Sequence, residues 1–145
     1  SNARATRGVE WWQSCERGCQ DIDEAQFIIF ERLLGGKSMK RFCKNVQLSE
    51  KHVLFTVCEE PQQKPIAVAI LHLNSGQIGW LLVDAEFRQQ GVGTQLIMAI
   101  EEYARANNLA TLHSITHPSN AKTRAFFKNL GYEEWIKLHK KVEPK

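Results

Sequence analysis

The stretch Val83–Ile97, VDAEFRQQGVGTQLI, leaves an apolar run, passes a charged elbow with two glycines and enters a helical pattern. A strand that runs through Gly91-Val92-Gly93 into a helix presents unpaired backbone amides and the positive end of a helix dipole, a combination suited to an anion. Glycine serves there twice. A side chain would hold phosphate oxygens away from the N–H groups, and such a turn asks for positive φ. Arg88 adds a fixed charge, and Gln89 and Gln90 add neutral donors and acceptors at the rim. A lone G-x-G also serves plain structural turns, so its surroundings have to decide. A triphosphate loop needs Gly-Lys-Ser/Thr, whereas Thr94 and Gln95 follow Gly93; the dinucleotide fingerprint needs a small residue where Leu96 stands.

Upstream of the elbow, SGQIGWLLVDAEF predicts a strand that enters through a Ser75-Gly76 turn and ends near Asp84. HVLFTVCEE and KPIAVAILHLNS, separated by the turn-like PQQK, predict a hairpin before it. Further back, Asp21 can cap a helix with Ile22, Ala25, Ile28, Ile29, Leu33 and Leu34 at helical spacing and Gly35-Gly36 at its end. Ser38 can cap a shorter helix through Val46. Downstream, Leu96, Ile97, Ile100, Tyr103 and Ala104 form one stripe of a helix from Thr94 to about Asn107, with Glu101 and Arg105 an exposed pair four apart. ATLHSITH predicts a strand that Pro118 ends, Asn120 caps a last helix closed by Gly131, and YEEWIKLHKKVE alternates like a final strand.

The chain has 145 residues, 43% of them hydrophobic, which suffices for one substantial core and suggests a single domain over residues 4–145. Ser1-Asn2-Ala3 reads as a tag-cleavage scar and is set aside. A formal net charge of +3 suits a small anionic ligand and is too weak to argue for nucleic acid. No apolar run reaches the ~18 residues of a membrane span, so a soluble, cytoplasmic protein is expected. Cys15, Cys19, Cys43 and Cys58 form neither a disulfide framework nor a paired C-x-x-C zinc pattern, so reduced thiols and no metal are expected.

Arg88-Gln89-Gln90-Gly91-Val92-Gly93 between a strand and a helix resembles the Arg/Gln-x-x-Gly-x-Gly/Ala segment of the Gcn5-related N-acetyltransferases. SNAKTRAFFKNLGY, Ser119 to Tyr132, resembles that family's second coenzyme-binding segment, an asparagine opening a helix that ends in Gly-aromatic. The resemblance implies an α/β fold, a mixed and mostly antiparallel central sheet of about six strands, splayed near its middle and flanked by about four helices. It implies acetyl-coenzyme A as co-substrate, its pyrophosphate on the amides of Gln89, Gln90, Gly91, Val92, Gly93 and Thr94. It also implies pantetheine contacts from the backbones of Leu82 and Val83, with the Val83 N–H stabilising the oxyanion, and a contact from Asn120. The acceptor is then a primary amine of a small molecule, protein or peptide, attacking directly in a ternary complex; a homodimer is compatible with this reading.

Direct attack needs an uncharged amine, so a proton has to be taken. The positions at which family members carry a base read Gln77, Gly79 and Ile115, none of which can act as one. On the strand of Ile115, period-two geometry puts His113 and His117 on the same face, His117 nearer the opening; His72 is a third candidate, and local structural roles compete for each. The family's tyrosine acid falls on Phe127, which cannot donate but can pack against the pantetheine arm. The thiol itself, with pKa near ~8.5, leaves tolerably as thiolate. These departures support an alternative, a catalytically weak acyl-coenzyme A binding module. Trp11, Trp12, Trp80 and Trp135 fit core packing better than an aromatic acceptor wall, and Cys58 reads as a small hydrophobe.

Overall fold

A computed structural model describes residues 2–7, 51–59 and 64–145, with the backbone alone for residues 2–7, 64 and 65. The helices expected over 21–34 and 38–46, with Trp11, Trp12, Cys15, Cys19 and Cys43, lie outside the described residues. The chain forms two compact units, Ser1–Ile115 and Thr116–Lys145.

The first unit is built on an antiparallel sheet in the order β1 (Asn2–Arg7), β2 (His52–Glu59), β3 (Lys64–His72), β4 (Gln77–Val83). The hairpin and the third strand thus form as their β-branched, apolar composition dictates. β1 was not foreseen: NARATR carries no strand pattern, and it pairs through its backbone, with Asn2 opposite Cys58 and Arg7 opposite Val53. Asn2 and Ala3, set aside as a scar, are therefore part of the sheet.

Gly76 makes the turn into β4 at φ +75°, and an added Cβ there would drive into the backbone carbonyl of Thr111. Two separate constraints, a left-handed backbone and a close backbone approach, thus both require glycine. After a 3₁₀ turn (Ala85–Phe87) comes helix α1 (Val92–Ala106), which lies against the strands. Leu96, Ile97, Ile100 and Ala104 of the expected stripe are buried, Val92 joins them because the helix starts two residues earlier than expected, and half-buried Tyr103 meets Phe55 edge to face at 5.5 Å between centroids. Each fully buried Leu or Ile of this layer contributes about 1.5–3 kcal/mol. Arg105 makes its exposed ion pair with Glu102, three residues back, at 3.2 Å.

ATLHSITH does not form the expected strand. It makes one parallel bridge, Gln77 to His113, with Ile78 N–H donating to His113 O at 2.8 Å and His113 N–H to Gly76 O at 3.0 Å. Beyond the bridge, the Ser114 hydroxyl donates to the next carbonyl, that of Ile78, at 3.1 Å.

In the second unit α2 (Ala121–Asn129) starts and ends as read from sequence. Asn120 Oδ1 accepts from Thr123 N–H at 3.3 Å. At the other end Gly131 N–H donates to Lys128 O and Tyr132 N–H to Phe127 O, each at 3.0 Å, with Gly131 at φ +90°. That is a Schellman closure. The run from Tyr132 onward forms no strand: alternation needs a neighbouring edge to pair with, and Trp135, Ile136 and Leu138 are exposed. Its start is tied to α2 by Arg124, which binds both Glu134 oxygens at 2.9 and 3.1 Å and holds that carboxyl below the ordinary range. No helix among the described residues is long and apolar enough to cross a membrane.

Candidate functional site

The site is built where β4 turns into α1. Between Val68 opposite Leu82 and Ile70 opposite Gly79 the register shifts, so that Trp80 and Leu81 together face Ala69. Trp80 holds φ +52°, a conformation that a bulky side chain rarely adopts and that marks a β-bulge. No residue type in GQIGWLLV signals it, because its origin lies in the pairing. Trp80 is 44% exposed and Trp135 is 89% exposed, which corrects the core-packing expectation for both.

Beyond the bulge, Asp84 N–H donates to Ile66 O at 2.8 Å. In an antiparallel ladder the alternation then turns the N–H and C=O of Val83 to the edge away from β3, while those of Leu82 face Val68 on β3. Arg88 Nε donates to the outward Val83 carbonyl at 3.3 Å, which fixes the guanidinium across the strand end. Asp84 caps the 3₁₀ turn through Glu86 N–H at 3.1 Å, and Gln90 Nε2 donates to Glu86 O at 3.0 Å. These bonds hold an exposed elbow in which Gln89 (φ +63°) and Gly91 (φ +80°) are both left-handed.

Gly91 is the N-cap residue of α1, and no side chain caps that helix. Gln95 N–H is the first to reach a carbonyl of the turn, Gly91 O at 3.0 Å. The N–H groups of Val92, Gly93 and Thr94 precede it as the helix's orphan donors, at the positive end of a helix of 15 residues. An added Cβ on Gly91 would meet nothing within 4 Å, so glycine answers there to backbone conformation and to open space. Donors in such an arrangement suit a phosphate-sized anion.

In the second unit, His117 is exposed in the turn before α2. Its Nδ1 accepts from Ser119 N–H at 3.2 Å and lies 2.7 Å from the Ser119 hydroxyl, a local partnership of the kind that competes with a catalytic role. Asn120 spends its Oδ1 on the cap and keeps its amide donors. Phe127 stands edge to face with Phe126 and Tyr132, at 5.2 and 5.1 Å, as an aromatic cluster.

In the first unit, Ile115 is exposed, and Gln77 and Gly79 sit on β4 before the bulge. Cys58 is a half-buried thiol in no disulfide. No group of side chains among the described residues is arranged to hold a metal ion.

Known proteins answer to this geometry. Among solved structures, the chain is similar to AAC(6')-Iy in complex with the bisubstrate analog CoA-S-monomethyl-acetylneamine, with a TM-score of 0.71 at 17% identity and 100% of each chain covered. It is also similar to an acetyltransferase of Trypanosoma brucei, with a TM-score of 0.61 at 15% identity, covering 98% of this chain and 100% of that one. An aminoglycoside acetyltransferase from an uncultured soil metagenomic sample gives a TM-score of 0.64 at 12% identity over the whole of both chains. At these identities the likeness establishes the α/β fold. Among curated proteins there is no significant match. The profile of the acetyltransferase (GNAT) family matches residues 9–132, most of the sequence and both of its motif segments, and the chain belongs to that family.

Proposed function

We propose that the protein is an N-acetyltransferase that moves the acetyl group of acetyl-coenzyme A to a primary amine by direct attack in a ternary complex. The observation that carries this reading is the uncapped start of α1 beside an outward-facing Val83 peptide and Arg88. The co-substrate supplies an activated thioester, and the chain's residues hold and polarise it. In this reading the amides of the Gln89–Thr94 elbow bind the pyrophosphate, with Arg88, Gln90 and Gly91 shaping the rim. The outward N–H of Val83 donates to the oxyanion. Leu82, whose peptide faces β3, contributes by setting the register of its neighbour more than by a bond of its own. Asn120 contacts the coenzyme through its amide donors, and Phe127 packs against the arm. Residues 4–145 then act as one acetyltransferase domain, in keeping with a family match that spans both compact units.

The favoured acceptor is a small-molecule amine, the kind of substrate named for two of the similar structures. A protein or peptide amine is the other arm of the test, and a cytoplasmic location belongs to the same reading. His117, with its Nε2 uncommitted by the Ser119 contacts, is one candidate proton acceptor. The experiment is coenzyme A release, followed with a thiol reagent at constant acetyl-coenzyme A, across neamine, polyamines, arylalkylamines and lysyl peptides, beside a binding titration. Amine-dependent release is expected. Saturable binding with no release would favour the second reading, an acyl-coenzyme A binding module, to which Gln77, Gly79, Ile115 and Phe127 point. No binding by the folded protein would end both.

A further inference from the structure

Register places three histidines in one lateral row. His52 on β2 is opposite His72 on β3, His72 is opposite Gln77 on β4, and Gln77 bridges to His113. Directly paired residues project to one face of a sheet. Phe55, three residues on from His52, meets Tyr103 of α1, so the row lies on the face opposite α1. The rings of His52 and His72 are edge to face at 4.5 Å.

His72 does not stand straight up from the sheet. A Cβ added to Gly79 would lie 3.8 Å from His72 Nε2, so the imidazole leans along the face over Gly79, toward the bulge and Val83. Gln77 and Gly79 are the β4 positions that carry no base of their own. The neighbouring strand therefore supplies, into the space that glycine leaves, the titratable nitrogen that β4 lacks.

We propose that His72 accepts the proton of the attacking ammonium group, a role that rests on the acetyltransferase reading above. About four strand residues separate Gly79 from Val83, on the order of 10 Å, so the proton reaches His72 Nε2 through intervening water. The ammonium gives one proton by that route to His72 Nε2, and the nitrogen lone pair forms the C–N bond. The tetrahedral intermediate breaks its C–S bond, and its second N–H proton neutralises the departing thiolate. His72 returns its proton to solvent, so ammonium and acetyl-coenzyme A give amide, coenzyme A and one proton. Burial, and after it the charge of His113, hold the His72 pKa below the ordinary imidazole value, so the ring is neutral and ready near pH 7. Among the described residues, the titratable groups facing it are His52 on β2 and His113 beside β4; Gln77 and Gly79 on β4 do not titrate.

The test compares wild type with His72→Gln in the release assay from pH 6 to 10, using the fastest amine of the panel and methoxyamine, an amine already neutral at pH 7. Acetyl-coenzyme A affinity is measured alongside. The expected result is a loss of about 100-fold in kcat/KM for the alkylamine at pH 7, recovering toward pH 10. Methoxyamine should lose under about threefold, and acetyl-coenzyme A affinity should stay within twofold. His72→Gln/Gly79→Glu, which returns a carboxylate to β4, should restore at least tenfold. An unchanged pH profile in His72→Gln, or equal losses for both amines, overturns the role of His72 while leaving the acetyltransferase reading intact. A misfolded His72→Gln is decided by the double variant: recovered folding without recovered alkylamine turnover also overturns it. A wild type that transfers to no amine overturns the parent reading, and this proposal falls with it.

Discussion

The two described α-helices begin in opposite ways. α2 opens on Asn120, whose Oδ1 takes the Thr123 N–H, and closes through Gly131 and Tyr132, whose N–H groups take the carbonyls of Lys128 and Phe127. α1 opens on Gly91 with no side-chain cap, and its first N–H groups point into an exposed elbow. An N-cap side chain is worth about 1 kcal/mol, and a longer helix with a buried stripe would profit from one as much as a short exposed one. Its absence at α1 leaves open the donors that the proposed coenzyme binding needs, which a capping side chain would occupy. The same elbow spends effort on rigidity elsewhere, capping the 3₁₀ turn with Asp84 and bonding Gln90 and Arg88 to backbone carbonyls. The donors are held in place and left open.

Changing α1's start gives the largest expected effect. Gly91→Asp puts a carboxylate among the amides, in a residue type that tolerates left-handed φ and at a position with no neighbour to clash. Acetyl-coenzyme A affinity should fall about 100-fold, roughly 2.7 kcal/mol, by calorimetric titration, with about 1 kcal/mol or less lost in urea unfolding. A loss of stability with unchanged affinity would make the two starts equivalent. At α2 the order reverses. Asn120→Ala should cost about 1 kcal/mol of stability, and Asn120→Asp, which caps as well, should cost close to none. Asn120→Asp still removes the amide donors, so a five- to tenfold loss of coenzyme affinity is expected from it; unchanged affinity would leave Asn120 as a cap alone.

The smallest effect is a pH dependence in the first unit. His72 binds its proton less readily folded than unfolded, so between its lowered pKa and 6.5 the unfolded chain holds more protons. Stability should therefore rise with pH through that window, and fall as pH drops toward the folded pKa. Melting temperatures from pH 5 to 8 should show a shallower rise in His72→Gln than in wild type.

Much of this was legible because its cause is local. Alternation and β-branching mark β2, β3 and β4, the Leu96–Ala104 stripe marks α1, and Asn120 and Gly131 mark the ends of α2. The elbow was legible because glycine spacing and helix onset are one signal. What was hidden depends on pairing. NARATR is a strand only because β2 offers it an edge, and ATLHSITH and the run from Tyr132 are not strands because period two says nothing about a partner. The placing of the bulge at Trp80 follows from register, as does the meeting of His52, His72 and His113, distant in sequence; the outward Val83 N–H is implied by the family resemblance and not by any residue type. On an expected strand His113 and His117 share one face, His117 nearer the opening; without that strand, His117 is a turn residue bound to Ser119.

The most direct test of the contrast between the helix starts is an amide ¹H–¹⁵N titration of the protein with acetyl-coenzyme A. The largest shifts, saturating together, are expected at Gly91, Val92, Gly93 and Thr94. A folded protein whose amides there stay put while coenzyme is added, or whose largest shifts fall elsewhere, would contradict that contrast.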